Sequence, residues 1–153
     1  LVIADGLSSR AVQQNAVPFI ELFITDLTTQ NPELRITPPI LVEQGRVAIG
    51  DEVGHLLGVR QVVVLIGERP GLSSPDSLGI YLTYDPEPGL PDARRNCISN
   101  IRPAGLSFGQ ASERLLYLMQ EADRLKLSGV GLKDRSDEVL VEANPHPQNS
   151  FRL

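Results

Sequence analysis

The chain has 153 residues, 41% apolar and 22% charged, which is enough apolar material for one domain with its own core. With 14 Lys and Arg against 19 Asp and Glu it carries a net charge of −5, so nucleic acid is a poor partner: little here would neutralise a run of phosphates. One cysteine and two histidines exclude an internal disulfide framework and cysteine-rich zinc sites, and leave scant material for a triad, which argues against most enzymes that work alone.

In chain order, Leu1–Ala4 is a short apolar run ended by Asp5-Gly6, compatible with a buried strand. A strand at the first residue, with no Met and no lead-in, is expected of a chain cut upstream, and the opening residues carry no signal-peptide pattern. Ser8 and Ser9 stand where a helix N-cap belongs. Val12, Ala16, Phe19, Phe23 and Leu27 then recur on one helical face, with Pro18 predicting a break near Asn15 and a second segment capped there.

After the Asn31-Pro32 turn, Ile40–Val42 predicts a second strand. Val47, Ile49, Val53, Leu56 and Leu57 predict a short helix that stops at Gly58. Gln61–Ile66 is the clearest strand: three consecutive valines, apolar on both faces, suit the centre of a parallel sheet. Residues 67–77 form a turn-rich stretch, Leu78–Thr83 a fourth strand, and 85–92 a proline-rich loop. Ser107 and Gln110 spell a capping box for a helix reaching about Leu127, closed by Gly129, with Val130–Leu132 as a last strand. From Glu142 onward two prolines and no periodicity predict a disordered tail or a non-native extension. Neither Val62–Ile66 nor the interrupted stretch Phe19–Leu27 approaches the roughly 20 apolar residues that a membrane span needs.

Strands alternating with helices predict an α/β domain with a mainly parallel sheet flanked by helices. Ligands of such sheets bind beyond the carboxyl ends of the strands, here expected at Asp5-Gly6, Glu43–Val47, residues 67–77 and the loop after Tyr84. Glu68 and Arg69 would place a carboxylate and a guanidinium at that mouth, in a loop stiffened by Pro70 and Pro75; the alternative is a rigid turn with a surface ion pair. Cys97, in the stretch Asn96–Asn100 read as a turn, reads first as a small buried hydrophobe, since no histidine lies near it in sequence. Gly71-Leu72-Ser73-Ser74-Pro75 is no nucleophile elbow, because proline replaces the last glycine. His55-Leu56-Leu57-Gly58 is half of the D-x-H-x-x-G signature by which histidine replaces the lower ligand of cobalamin, but Val53 stands where the aspartate should be. A ligating histidine needs that outer carboxylate, so His55 reads as a helix-surface or packing residue.

Five stretches together carry a resemblance: DGLSSRAV at Asp5–Val12, QGRVAIGDEVGHLLG at Gln44–Gly58, VVVLIGERPGLSSPDSLGIYLTY at Val62–Tyr84, RNCISNIRPAGLS at Arg95–Ser107 and LSGVGLKD at Leu127–Asp134. They resemble the small subunit of ethanolamine ammonia-lyase, in its C-terminal domain, over residues 1–134; residues 135–153 form a polar tail, expected to be disordered, outside the likeness. The family's largely helical N-terminal region has no counterpart here. The resemblance implies a Rossmann-like α/β domain that closes over adenosylcobalamin. It also implies, as partner, a large barrel subunit that binds ethanolamine and carries most of the radical chemistry. The family's cobalamin stays base-on, and its assemblies of large and small subunits are cytoplasmic, often inside a bacterial microcompartment. Val47, Glu68 and Cys97 match the family's cofactor-contact positions; Arg69 joins them only because it shares their loop. No catalytic residue and no metal ligand is assigned to this chain. The same fold would also permit a non-catalytic effector-binding or partner-docking module.

Overall fold

The computed structural model describes residues 1–68 and 74–136. In chain order these form β1 (Val2–Ala4), α1 (Ser9–Gln30), β2 (Ile40–Val42), α2 (Ile49–Leu56), β3 (Gln61–Gly67), β4 (Leu78–Tyr84), β5 (Arg95–Ile101) and α3 (Phe108–Leu125). The strands make one five-stranded sheet in the order β2-β1-β3-β4-β5.

The sheet is mixed rather than mainly parallel. β1 runs parallel to β2 and β3, but β4 is antiparallel to β3, and β5 to β4. The connections explain the difference. A parallel return needs a crossover of a dozen or more residues, usually a helix. α1 and α2 provide crossovers on the β1 side, whereas residues 68–77 and 85–94 are too few, so each strand folds straight back. The α/β class therefore holds, and the Rossmann-like, mainly parallel description does not fit the β4–β5 half.

Alternation sorts the side chains onto two faces. Val63 and Leu65 of β3, Leu78, Ile80 and Leu82 of β4, and Ile98 and Ile101 of β5 pack beneath α1 and α3. There Phe19 stacks on Phe23 with centroids 5.7 Å apart, and Phe108 meets Phe19 edge-on at 6.5 Å. On the other face Val2, Ala4, Val62, Val64 and Ile66 pack with Val47, Ile49 and Val53, at the start of and within α2. α2 can lie this close because Gly50 faces the sheet: a Cβ there would stand 2.3 Å from Val64 Cγ2.

α2 is too short to cover β4 and β5, and Arg95 fixes where its cover ends. The Arg95 side chain is only 4% exposed and donates to the Asp51 carboxylate of α2, itself 2% exposed. Arg95 also donates to Asp92 Oδ1 at 2.6 Å and to the Leu90 carbonyl at 3.0 Å. Beyond this clamp the second face of β4 and β5 has no helix over it among the described residues.

Four local expectations need correction. α1 is one continuous helix, with Pro18 inside it. Pro18 is solvent-facing, so water can serve the carbonyl it strands, while Ala11, Asn15, Ala16, Phe19, Phe23 and Leu27 hold the buried side together. Asn15 is consequently no cap: it is buried mid-helix and its Nδ2 donates to the Asp76 carbonyl. α3 has the capping box but stops at Lys126, whose backbone is left-handed at φ 58°. Val130–Leu132 is no strand. Gly129–Gly131 is a 3-10 turn, held where Gly129 N–H donates to Asn96 Oδ1 at 2.6 Å and Asn96 Nδ2 donates to the Leu132 carbonyl at 2.9 Å. Of the predicted tail, only residues 135 and 136 lie within the described chain. No described helix is long and apolar enough to cross a membrane.

The clamp gives a stability prediction. Asp51→Ala leaves a buried guanidinium without its main counter-charge and is expected to cost about 3–5 kcal/mol. Asp92→Ala removes a fully exposed partner and is expected to cost far less. Urea unfolding of the two variants checks the ranking; equal losses would contradict it.

Candidate functional site

Where the carboxyl ends of β1, β2 and β3 meet the end of β5, the chain forms a concavity of about 420 Å³. Its lining includes Arg46, Val47, Glu68, Tyr81, Ser99 and Asn100. The switch to antiparallel strands removes the loop after Tyr84 from this edge, because β4 points the other way. The end of β5 takes its place. A larger groove, about 970 Å³, runs along the opposite edge past Leu1, Leu27 and Arg60. It lies at the amino ends of the parallel strands, away from where α/β sheets gather ligands, so the smaller concavity is the candidate site.

Glu68 is its best-built member. Its backbone N–H donates to the Ser77 carbonyl at 2.9 Å, which continues the β3–β4 pairing by one residue. Its Oε2 accepts from Ser77 Oγ and from Asn100 N–H, each at 3.2 Å. The side chain then lies flat over Gly79, where a Cβ would stand 2.4 Å from Oε1. One carboxylate oxygen is thus tied down, and no donor among the described residues reaches the other. The loop that follows is anchored from α1: Ser8 caps the helix through Ala11 N–H, its hydroxyl donates to the Pro75 carbonyl, and Asn15 holds Asp76. Arg69 lies outside the described residues.

The opposite wall is set by Asp5, at the end of β1. Its carboxylate accepts the N–H groups of Gln44 at 2.9 Å and Gly45 at 3.0 Å, which fixes the turn that presents Arg46 and Val47. These bonds hold the Asp5 carboxyl below its usual value, the Gln44 bond first. Two backbone carbonyls of this wall already have partners: that of Gly45 takes Arg46 Nη1 at 3.1 Å and that of Val47 takes Gly50 N–H at 3.1 Å. Val47 itself lines the concavity, half-buried.

Asn96–Asn100 is part of β5 rather than a turn. Asn96 points away, its amide spent on residues 129–132, while Cys97 pairs with Tyr81 across the open face. Cys97 is exposed as a residue, not a buried hydrophobe, yet its thiol is sheltered against Tyr81. That desolvation pushes the thiol up from its ordinary 9.0, and the Glu68 charge adds to it, while the hydrogen bond with Tyr81 pulls the other way. Tyr81 is pushed far up its range, first by desolvation and then by its bond to Cys97. Sequence reasoning missed Tyr81, and it reached Arg46, Ser99 and Asn100 only as members of the stretches Glu43–Val47 and Asn96–Asn100. The signal for Tyr81 was present in Leu78–Tyr84: Gly79, Tyr81 and Thr83 alternate with Leu78, Ile80 and Leu82, which marks one face as different from the core. His55 is exposed in the last turn of α2 and does not line the concavity. No cluster of three or more His, Cys, Asp or Glu that could hold a metal occurs among the described residues.

An open concavity with one anchored carboxylate, and no metal-holding cluster among the described residues, is the candidate binding site of this α/β domain. The chain belongs to the ethanolamine ammonia-lyase light chain family, which it matches over residues 1–133. It is 58% identical over 153 residues to the ethanolamine ammonia-lyase small subunit of Azotobacter vinelandii (strain DJ / ATCC BAA-1303), covering 100% of this chain and 56% of that protein. It is 57% identical over 143 residues to the protein of that name from Pseudomonas fluorescens (strain Pf0-1), covering 94% of this chain and 52% of that protein. The chain therefore spans about half the length of the curated relatives it matches.

Two predictions follow from these geometries. The Asp5 value is depressed in the folded chain, so its contribution to stability is complete above the ordinary 3.8 and is lost as pH falls through the lower folded value. The amide signals of Gln44 and Gly45 should titrate below 3.8 and stop doing so in Asp5→Asn. For Cys97, alkylation by iodoacetamide should show a pH midpoint above 9.0, moved higher by Tyr81→Phe. A midpoint below 9.0 would contradict the sheltered thiol.

Proposed function

We propose that this chain is the cofactor-holding C-terminal domain of an ethanolamine ammonia-lyase small subunit, closing adenosylcobalamin against a large catalytic subunit for conversion of ethanolamine to acetaldehyde and ammonia. The family match, extending over residues 1–133, carries the reading. The relatives' name, small subunit, supports a larger partner. The shape supports it too: a concavity of about 420 Å³ encloses at most a drug-sized ligand, so it can hold only one edge of a corrinoid and leaves the rest for another surface. A cytoplasmic setting, with a bacterial microcompartment around it, accompanies this reading as part of the same family resemblance.

The donor set fits such an edge. A corrinoid is rimmed by amide side chains that donate through NH2 and accept through C=O. Glu68 presents one anchored carboxylate oxygen and one that no donor among the described residues reaches, suited to amide NH2 donors. Val47 gives an apolar contact on one side, and Cys97 with Tyr81 gives a neutral one on the other. Arg69, in the same loop, remains a proposed contact on sequence position alone. His55, exposed on α2 and outside the concavity, is assigned no part in holding the cofactor. When bound, adenosylcobalamin supplies a cobalt–carbon bond whose homolysis starts radical chemistry. The residues of this chain bind, orient and exclude water, and none of them is assigned a proton transfer.

The chain reconstituted with a large subunit of ethanolamine ammonia-lyase and adenosylcobalamin should release ammonia from ethanolamine, and the chain with cofactor alone should not. Activity without the partner, or none with it while a full-length small subunit succeeds, would contradict the assignment. In the working complex Glu68→Gln keeps the shape and loses the charge. The loss should cost about 1.5–3 kcal/mol of cobalamin binding.

A further inference from the structure

We infer that Arg46 takes the phosphodiester of the cofactor's nucleotide loop, so that the concavity reads the two ends of one ligand by opposite charge. The inference rests on the cofactor reading above and adds a residue and a ligand group to it.

The concavity is electrically lopsided. Glu68, at the end of β3, and Arg46, just past β2, both line it, with β1 between their strands. Neighbouring strands lie about 4.8 Å apart, so the two charges rise from strand ends roughly 10 Å apart. They are not each other's partner: Glu68 is tied to Ser77 and Asn100, and Arg46 forms no ion pair with any described residue. Arg46 is exposed and its Nη1 donates at 3.1 Å to the carbonyl of its neighbour, Gly45. That leaves most of a five-donor guanidinium facing outward. Asp5, which holds this turn from the end of β1, has both oxygens committed to Gln44 and Gly45 N–H groups, and Glu43 within the turn forms no ion pair with Arg46. Holding that turn rigid presents Arg46 at a fixed place on the rim without neutralising it.

An arginine can donate to amide carbonyls, but two oxygens of one anion engage its fork and its charge together, which a neutral amide cannot do. An arginine fork is favoured where two oxygens of one charged group must be met together, and the two free oxygens of a phosphodiester are such a pair. Cobalamin carries one anionic group in its nucleotide loop, a phosphodiester, while the corrin rim carries neutral amides. Glu68 suits the rim and would repel the phosphodiester. Arg46 suits the phosphodiester, and the separation of the two fixes which way round the ligand sits.

The test uses the chain in complex with a large subunit of ethanolamine ammonia-lyase and three probes: hydroxocobalamin, cobinamide phosphate and cobinamide. The last lacks both phosphate and base, and binding is followed by visible spectra. Arg46→Gln should weaken hydroxocobalamin and cobinamide phosphate about tenfold or more and leave cobinamide unchanged. Arg46→Lys should recover part of the loss. Glu68→Gln should weaken all three alike. An equal loss on all three probes in Arg46→Gln, as expected if Arg46 meets a carboxylate of the partner, would overturn the inference, as would no loss on any. Indifference of every probe to Glu68→Gln, with Arg46→Gln still selective for phosphate, would instead count against the cofactor-edge reading of Glu68. Because Arg46 is exposed, unchanged thermal unfolding of its variants should accompany the binding change.

Discussion

Arg95 and Asp51 decide which part of the sheet is core and which is surface. Their buried pair pins α2 at the boundary between the parallel and antiparallel strands, with Leu90 and Asp92 closing around the guanidinium. An ion pair in this position is a weak source of stability against an apolar substitute, and its stronger effect is to fix one arrangement. Here the arrangement leaves Tyr81, Cys97 and Ser99 facing outward beside a helix that cannot slide over them. Asp51 Oδ1 and Arg95 Nε have no hydrogen-bond partner among the described residues, which is consistent with a contact kept for position rather than for energy.

The concavity inherits much of its rigidity from residues outside its lining, with Asn100 the exception. Asp5 holds the turn after β2, Asn15 and Ser8 hold the end of the loop before β4, and Ser77 and Asn100 hold Glu68. A side chain fixed before binding loses less entropy when the ligand arrives. Gly79 belongs to the same scheme, since any side chain there would lift Glu68 from its seat. The small subunit's share of the work, in this account, is a prepared edge rather than a reacting group.

Much of this was legible in the sequence. The three valines of β3, the Ser107–Gln110 capping box and the strand at Ile40–Val42 were read from pattern, because each depends on local or single-face rules. β5 was missed because its buried residues, Arg95, Ile98 and Ile101, are spaced by three across a register shift, and a charged residue among them hides the strand. The direction of β4 was missed because orientation depends on what the connecting residues can span. Pro18 misled because its cost depends on exposure, which composition does not carry. Glu68 and Val47 were found through motif likeness; Arg46 fell within the expected edge Glu43–Val47 but was not singled out, since only the fold shows that its side chain lines the same concavity as Glu68.

The central claim is that the carboxyl-edge concavity, and not the larger groove at the opposite edge, is the ligand face. Hydrogen–deuterium exchange of the complex with its large subunit, with and without hydroxocobalamin, tests it directly. The account predicts cofactor-dependent protection at residues 44–47, 67–68 and 97–100, with none at 27–37 or 57–61. Protection confined to the latter segments would contradict it.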